Sequence, residues 1–178
     1  MHLKFALSAL YLGTVMLLPA QTPTIGTAGG STAWGGPLNV KLDSKGNIYV
    51  ADWAGHAVYR IDATGSIATV AGTPGRGGSA GDGGPATGAL LAGPSGVAIA
   101  ADGTVYISDL EDNRIRKVSP SGVITTLAGN SRGGFTGDGG QSTAAMLFAP
   151  LDVDCPPSPV KPPRLFPASV VKIGRAHV

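Results

Sequence analysis

This sequence is short of cysteine, of charge and of aromatic residues, and the first two shortages each exclude a class of protein. Among its 178 residues there is one cysteine, so no disulfide can form within the chain. Charged residues make up 13% and aromatic residues 6%. A disulfide-rich scaffold and a highly charged disordered chain are therefore excluded, and the fold must be held together by packing.

Basic residues are scarce where the sequence is most regular. The formal net charge is +2, but five basic residues lie outside residues 21–154, namely Lys4, Lys161, Arg164, Lys172 and Arg175. Inside that range 8 basic residues face 11 acidic ones. The electrostatic footprint of nucleic-acid binding is a cluster of lysine and arginine with interleaved aromatic residues, and the blades contain none. We therefore expect no nucleic-acid partner.

The sequence also lacks a recognisable set of catalytic residues. No serine, histidine and acid are assembled, and the glycine runs do not open a helix that could cradle a phosphate. The chain has one glutamate, Glu111, and one histidine away from its ends, His56. We expect no catalytic residue, no metal ligand and no cofactor here, which favours a non-catalytic protein.

Glycine is abundant, with 28 residues, and several glycines lie at the matching positions of an internal repeat. Gly36–Pro37, Asp52 and Ala71–Gly72 recur in the same order and at the same spacing as Gly93–Pro94, Asp109 and Ala128–Gly129. Between these positions apolar and polar residues alternate, which predicts short strands with one buried face. A long repeat of short strands separated by glycine turns is typical of one blade of a β-propeller.

The repeat predicts an all-β fold with two four-stranded blades. The predicted strands are residues 38–42, 46–52, 57–61 and 65–72 in the first copy, and 96–100, 103–109, 114–118 and 122–129 in the second. A closed propeller needs about four to eight blades. Residues 149–154 resemble the opening of a third blade and residues 25–29 an isolated fourth strand. We therefore expect a propeller fragment with partial flanking blades, whose exposed strand edges associate.

The repeated residues resemble the NHL repeat family of β-propellers. The resemblance rests on residues 93–99 (Gly-Pro-Ser-Gly-Val-Ala-Ile), 103–109 and 113–118, and on the Gly-Asp-Gly-Gly connectors at residues 81–84 and 137–140. The long connectors are most similar to those of bacterial NHL arrays and of the teneurin NHL segment. The resemblance covers residues 25–154. It departs from the family at Gly55 and Asp112, where asparagine is frequent, and at Ala57, where arginine is usual.

Four aspartates occupy repeated positions and are interpreted as structural. Asp52 and Asp109 end equivalent strands, and we expect each carboxylate to bind the turn that follows. Asp82 and Asp138 lie at matching positions of the two connectors. Calcium needs six to eight oxygen ligands, and each connector supplies one carboxylate. We therefore expect Asp82 and Asp138 to cap neighbouring backbone amides instead of binding a metal.

In a propeller, the connectors and the turns between the second and third strands emerge at the same end. That end is the predicted binding surface, because loops on a rigid scaffold commonly carry function. Its candidate ligand contacts are Trp53, His56, Glu111 and Asp112. The alternative is that these are ordinary solvated turn residues.

The two termini carry different signals. Residues 1–20 combine a cationic start, an apolar run at residues 5–18 and a small residue at Ala20, which predicts a cleaved secretory signal peptide; an uncleaved anchor is the alternative. Export to the periplasm or outside the cell follows. Residues 155–178 are rich in proline, and residues 173–178 resemble a translated sequencing-adapter oligonucleotide. This tail is either a natural disordered linker or an artefact.

We therefore expect an exported NHL-type propeller that acts as a scaffold for a protein, peptide or carbohydrate ligand, with no stable membrane insertion. The alternative is a fragment of a metal-dependent propeller hydrolase or lyase of the gluconolactonase type, whose ligands would lie in further blades. Acidic and histidine residues on several inner strands would indicate the hydrolase. Plain repeats with aromatic residues at the loop tips would indicate a binding protein.

Overall fold

The computed structural model describes residues 34–155 and 172–173. The strands of this part are β1 (Pro37–Leu42), β2 (Ile48–Asp52), β3 (Ala57–Ile61), β4 (Ile67–Ala71), β5 (Pro94–Ile99), β6 (Val105–Asp109), β7 (Arg114–Val118), β8 (Ile124–Ala128), β9 (Val153–Asp154) and β10 (Lys172–Ile173). Short 3₁₀ turns lie at Ala86–Gly88 and Ser142–Ala144. The predicted leader and the predicted strand at residues 25–29 lie outside the described residues.

The strands form two four-stranded antiparallel sheets, each in sequence order. We call β1 to β4 blade 1 and β5 to β8 blade 2. Their irregularities repeat as well, since the ladder shifts register after Pro37 in blade 1 and after Pro94 in blade 2. A one-residue shift in a ladder changes which side chains lie on each face of the strand. Because the shift occurs at the same place in both sheets, equivalent residues of the two blades lie on equivalent faces. The predicted pair of four-stranded blades is confirmed.

The third sheet is a two-stranded ladder in which β10 pairs antiparallel with β9. Lys172 lies opposite Asp154, and Ile173 opposite Val153. The prolines of the tail lie between β9 and β10 in the sequence, so Lys172 and Ile173 keep the backbone N–H that a ladder requires. Two residues of the tail therefore add an edge strand to the opening of a third blade.

The two blades pack face to face through a shared apolar core. One face of blade 1, which we call its back face, contributes Tyr49, Ala51, Val58 and Ala71 to this core. The opposite type of face on blade 2, which we call its front face, contributes Val97, Val105, Ile107, Val118 and Ile124. A second core joins the back face of blade 2 to Val153 of β9 and contains Ala98, Tyr106 and Ile115. Each blade thus buries its back face against the next blade, which is the packing of a propeller.

The segment between β4 and β5, which we call connector 1 (residues 72–93), is fixed by a fully buried arginine of blade 2. Arg116 Nη2 donates to Asp82 Oδ1 at 2.6 Å, and Arg116 Nη1 lies 3.3 Å from Asp109 Oδ2. Thr126 Oγ1 donates to the other oxygen of Asp82 at 2.6 Å. One guanidinium therefore joins connector 1 to the end of β6.

This arrangement corrects the expectation for Asp82. We expected its carboxylate to cap neighbouring backbone amides, but its partners are the side chains of Arg116 and Thr126 on blade 2. The repeat-equivalent Asp138 is exposed. Asp82 has these partners because blade 2 lies directly beside connector 1, so side chains of β7 and β8 occupy the hydrogen-bonding positions around its carboxylate.

The two carboxylates beside Arg116 differ in their affinity for protons. Burial raises the pKa of Asp109 from 3.8 to about 7, although the Ala92 amide and the Arg116 guanidinium oppose the rise. Burial also acts on Asp82, but hydrogen bonds from Thr126 and Arg116 hold the pKa of that carboxyl below its usual value. Arg116 therefore has Asp82 as its ionised partner, and Asp109 keeps its proton into the neutral range.

This difference predicts a pH dependence of stability. Between pH 3.8 and about 7 the folded chain holds a proton on Asp109 that the unfolded chain has lost. The protonated Asp109 therefore contributes fully to the free energy of unfolding below that window. As the pH rises through the window, the free energy of unfolding falls by up to about 1.4 kcal/mol per pH unit. Urea unfolding across the window measures the slope. The variant Asp109→Asn keeps an acceptor for the Ala92 amide and cannot titrate, so identical pH profiles for the two proteins would contradict the prediction.

Candidate functional site

Connector 1 lies between the β2–β3 turn and the β6–β7 turn at one end of the blades, which we call the connector rim. The Gly75 amide donates to the Gly55 carbonyl at 2.9 Å, which joins connector 1 to the first turn. The Glu111 amide donates to the Ala92 carbonyl at 2.9 Å, which joins it to the second. The rim thus brings together equivalent turns from the two copies of the repeat.

Two of the predicted contact residues converge at Gly93, where connector 1 enters β5. A Cβ atom built on Gly93 would lie 2.5 Å from Trp53 Nε1 and 3.1 Å from the Glu111 carboxyl carbon. Gly93 also has a φ of +67°, which side chains rarely adopt. Trp53 comes from blade 1 and Glu111 from blade 2, so the absence of a side chain at Gly93 lets an indole and a carboxylate meet across the blade junction.

His56 lies beside them but has a structural partner. Its φ is +54°, and its Nδ1 accepts a hydrogen bond from the Gly93 amide at 3.4 Å. The repeat-equivalent residue of blade 2 is Asn113, with a φ of +52°, and its Oδ1 accepts from the Ala149 amide at 2.8 Å. His56 therefore occupies an asparagine-type position that holds the chain where it enters the next blade.

This equivalence predicts how His56 responds to substitution. His56→Asn should leave the free energy of unfolding within about 0.5 kcal/mol, because asparagine tolerates the left-handed backbone and keeps an acceptor for Gly93. His56→Ala should lose about 1–3 kcal/mol, because the Gly93 amide is left without its partner and alanine is strained at positive φ. Urea unfolding measures the free energy of unfolding of both variants. An equal decrease in the two would contradict the structural role of His56.

The structure places Asp112 in the interior of its turn. Only 7% of the residue is exposed. Its Oδ1 accepts from Ser131 Oγ at 2.7 Å, and its Oδ2 lies 3.1 Å from Arg114 Nη1. Arg114 in turn donates to the Ser79 carbonyl of connector 1. Asp112 thus ties blade 2 to the segment after β8 and does not face solvent as a ligand contact would.

Asp52 and Asp109 both bind the backbone that enters the first strand of their blade, but of the two only Asp52 also makes the expected hydrogen bond to the turn that follows, with the Gly55 amide. Asp52 accepts from the Gly35, Gly36 and Gly55 amides, at 3.0, 2.6 and 3.2 Å. A side chain at Gly55 would overlap this carboxylate. Asp109 accepts from the Ala92 amide at 2.6 Å and pairs with Arg116. Each aspartate fixes the entry to β1 or β5.

The sequence reasoning missed two aromatic residues on the connector rim. Phe135 is 84% exposed and Phe148 57% exposed, and their rings pack against each other with centroids 5.5 Å apart. Both lie between β8 and β9 in what we call connector 2 (residues 129–150), and their equivalents in connector 1 are Ser79 and Ala92. A large aromatic residue at a repeat position that holds a small residue in the other copy was the available signal.

Two further properties concern metals and membranes. Within residues 34–155 and 172–173, no three His, Cys, Asp or Glu side chains are grouped so that they could hold a metal ion. The helical segments of this part are the two three-residue 3₁₀ turns, and neither is long and apolar enough to cross a membrane.

Comparison with known proteins agrees with the repeat. Residues 72–136 match the family described as the teneurin NHL domain. Teneurin-3 of Danio rerio is 39% identical over 98 residues, which is 48% of this chain and 4% of that protein. The matched part therefore spans a small fraction of the relative's own length.

Two solved structures from Bacteroides thetaiotaomicron share the fold. One, a protein of unknown function, is 27% identical with a TM-score of 0.54, over 61% of this chain and 27% of the other. The second, an auxiliary nutrient binding protein, is 21% identical with a TM-score of 0.54, over 65% and 31% of the two chains. These similarities agree with the two blades and the connector between them.

Proposed function

Because residues 72–136 of this chain are an NHL-type propeller segment of the teneurin class, we propose that the protein is an exported, non-catalytic scaffold that binds its ligand on the connector rim. The two blades share an apolar core, whereas the rim consists of loops that are hydrogen-bonded to both blades. A rigid scaffold with fixed loops is well suited to binding, because little ordering is needed when the ligand arrives.

The exposure of aromatic residues on this rim is the observation that carries the proposal. Trp53, Phe135 and Phe148 are all exposed in a chain with few aromatic residues. Exposed aromatic side chains offer a large apolar contact area at a low cost in side-chain entropy, which is why they are enriched where proteins bind ligands. Their position on one rim, at two successive blade junctions, argues against unrelated surface residues.

The chemistry of the rim fits three kinds of ligand. The Trp53 indole supplies a flat apolar surface, and the Glu111 carboxylate beside it accepts hydrogen bonds. A saccharide ring, a peptide or a protein loop could each use both groups. The excess of acidic residues in the blades disfavours nucleic acid as the partner.

Binding arrays test this proposal. The labelled full chain is applied to arrays of defined oligosaccharides and of synthetic peptides, and each positive probe is titrated against Trp53→Ala and Phe135→Ala. We expect about tenfold or greater loss of affinity, because truncating an aromatic anchor costs about 1–2 kcal/mol or more. Lys45→Ala, in the exposed β1–β2 turn away from the rim, is the matched control. Unchanged affinity in both aromatic variants would overturn the proposal.

The organisation of the chain belongs to the same proposal. Residues 1–20 act as the export signal, residues 21–154 form the blades, and the tail from residue 155 contributes nothing to ligand binding. The mass of the protein recovered after export tests the first point: a chain that begins at Gln21 supports a cleaved signal, and a chain that retains residues 1–20 contradicts it.

A further inference from the structure

Trp53 and Glu111 differ in chemistry from the residues at the same positions of the other copy of the repeat. Blade 2 has Leu110 where blade 1 has Trp53, and blade 1 has Ala54 where blade 2 has Glu111. Each copy therefore forms its turn without one of these two groups, so the repeated turn does not require either of them. The meeting of an indole and a carboxylate at Gly93 is particular to the junction between blades 1 and 2.

The backbones of the two turns hold the rim together, and these two side chains project from them. The Trp53 amide donates to the Gly36 carbonyl, and the Glu111 amide donates to the Ala92 carbonyl, both at 2.9 Å. Trp53 is 39% exposed, and Glu111 is exposed as well. The ion pairs among the described residues do not include Glu111. In this part of the chain the indole and the carboxylate are thus accessible from the rim.

The closeness of the two groups restricts the kind of ligand that can use them. The Trp53 indole and the Glu111 carboxyl group both lie against Gly93, so a ligand that packs on the indole also covers the carboxylate. Covering an ionised carboxylate costs free energy unless a cation or several hydrogen-bond donors replace its water. An uncharged saccharide ring would use the indole but would bring no counter-charge. A ligand with a positive charge at this point avoids the cost.

We propose that the connector rim recognises a peptide or protein segment through a lysine or arginine side chain that contacts both Trp53 and Glu111. This inference rests on the proposed function and narrows its ligand to a basic segment of polypeptide. An ammonium or guanidinium group pairs with the carboxylate and is attracted to the electron-rich face of the indole. Arginine suits both contacts, since its planar guanidinium stacks on aromatic rings and pairs with a carboxylate through two N–H groups.

The charge of the blades favours the same ligand. Residues 21–154 contain 11 acidic and 8 basic residues. An acidic excess attracts a basic segment over a longer range than the contact itself and speeds its association.

Charge-matched peptides are the first test. Peptides that contain arginine or lysine and bind the full chain on the array are titrated beside copies with citrulline in place of arginine and acetyl-lysine in place of lysine. We expect the neutral copies to bind about tenfold more weakly or worse, because a hydrogen bond between ionised partners is much stronger than a neutral one. The inference is overturned if no basic peptide binds at millimolar concentration, or if the neutral copies bind equally well.

Glu111→Gln makes the matching change in the protein. Glutamine has nearly the same shape, and the backbone amide at this position keeps its bond to Ala92, so the fold is retained. The variant should bind basic peptides about tenfold more weakly and should not weaken the citrulline copies further, because their charge pair is already lost. Added NaCl should weaken the unchanged chain more than the variant, since salt screens a charge pair. Asp102→Asn makes the same charge change in the exposed β5–β6 turn and should bind like the unchanged chain.

The variants separate this inference from the proposed function on which it rests. If Trp53→Ala weakens binding and Glu111→Gln does not, the rim binds the ligand but the basic side chain is wrong. Saccharide binding that requires Trp53 and is unchanged in Glu111→Gln would overturn the inference in the same way. If Trp53→Ala, Phe135→Ala and Glu111→Gln all bind like the unchanged chain, both the inference and the proposed function are wrong.

Discussion

Replacing Arg116 by methionine should destabilise the protein by about 2–3 kcal/mol, because the hydrogen bonds that its charged guanidinium makes to Asp82 and Asp109 are lost. Arg116 and Asp109 are both fully buried, and Asp82 binds the same guanidinium from connector 1. Methionine fills a similar volume but leaves Asp109 without a cation and Asp82 with Thr126 alone. Urea unfolding at neutral pH measures the loss.

Matched variants separate the charge from the packing. Arg60, on β3 of blade 1, is exposed, so Arg60→Met should change stability by less than about 1 kcal/mol. The double variant Arg116→Met with Asp109→Asn should recover part of the loss, because residue 109 then cannot ionise in a buried site that has lost its cation. A loss below about 1 kcal/mol for Arg116→Met would show that Arg116 does not hold connector 1 to blade 2.

Replacing Gly72 by alanine should cost about 3 kcal/mol or more, since backbone strain and a steric overlap act together. Gly72 follows β4 with a φ of +86°, and a Cβ atom there would overlap the His56 carbonyl and lie 2.9 Å from the Ala57 Cα. Both contacts are to backbone, so the strand end must move away from the turn that carries His56. The same overlap exists at Gly129 in blade 2, against the Asn113 carbonyl.

Gly65 is the control for backbone strain alone. Its φ is +84°, but a Cβ atom there meets nothing within 4 Å. Gly65→Ala should therefore cost only the left-handed backbone penalty of about 1–2 kcal/mol. If thermal or urea unfolding gives equal losses for Gly65→Ala and Gly72→Ala, the close approach at Gly72 carries no stability and the prediction is wrong.

The strands were predictable from the sequence because the signal that sets them is local. Alternation fixes the buried face, and glycine marks the turns, so β3 and β7 fall at the predicted residues and the other strands of the two blades within about two residues at either end. The two copies also confirm each other, since an error in one would break the match with the second. The blade packing follows from the architecture once the repeat is recognised.

The partners of buried polar groups were not predictable in the same way. Arg116 lies in an alternating strand and would be assigned to solvent by its charge, yet it is fully buried because Asp82 of connector 1, far from it in the sequence, binds its guanidinium. Asp112 was predicted to contact a ligand because it lies in the β6–β7 turn, but Ser131 and Arg114 hold its side chain inside. Such pairs depend on how a glycine-rich loop folds over the next blade. The alternation of apolar and polar residues along a strand carries no information about that folding.

The candidate site was predicted in part. Its location at the ends of the turns and connectors followed from the propeller arrangement, and Trp53 and Glu111 do meet across the blade junction at Gly93. The pair Phe135 and Phe148 was overlooked because it lies outside the aligned strands, in the segment where the two copies differ most. The contacts of these residues with a ligand stay predictions.

The measurement that tests the central claim most directly compares the affinity of the full chain with that of Trp53→Ala, for the probes that the oligosaccharide and peptide arrays identify. The account predicts that at least one probe binds and that Trp53→Ala weakens it about tenfold or more while Lys45→Ala leaves it unchanged. Equal affinity for all three proteins and for Phe135→Ala would place the binding surface elsewhere on the propeller and contradict the account.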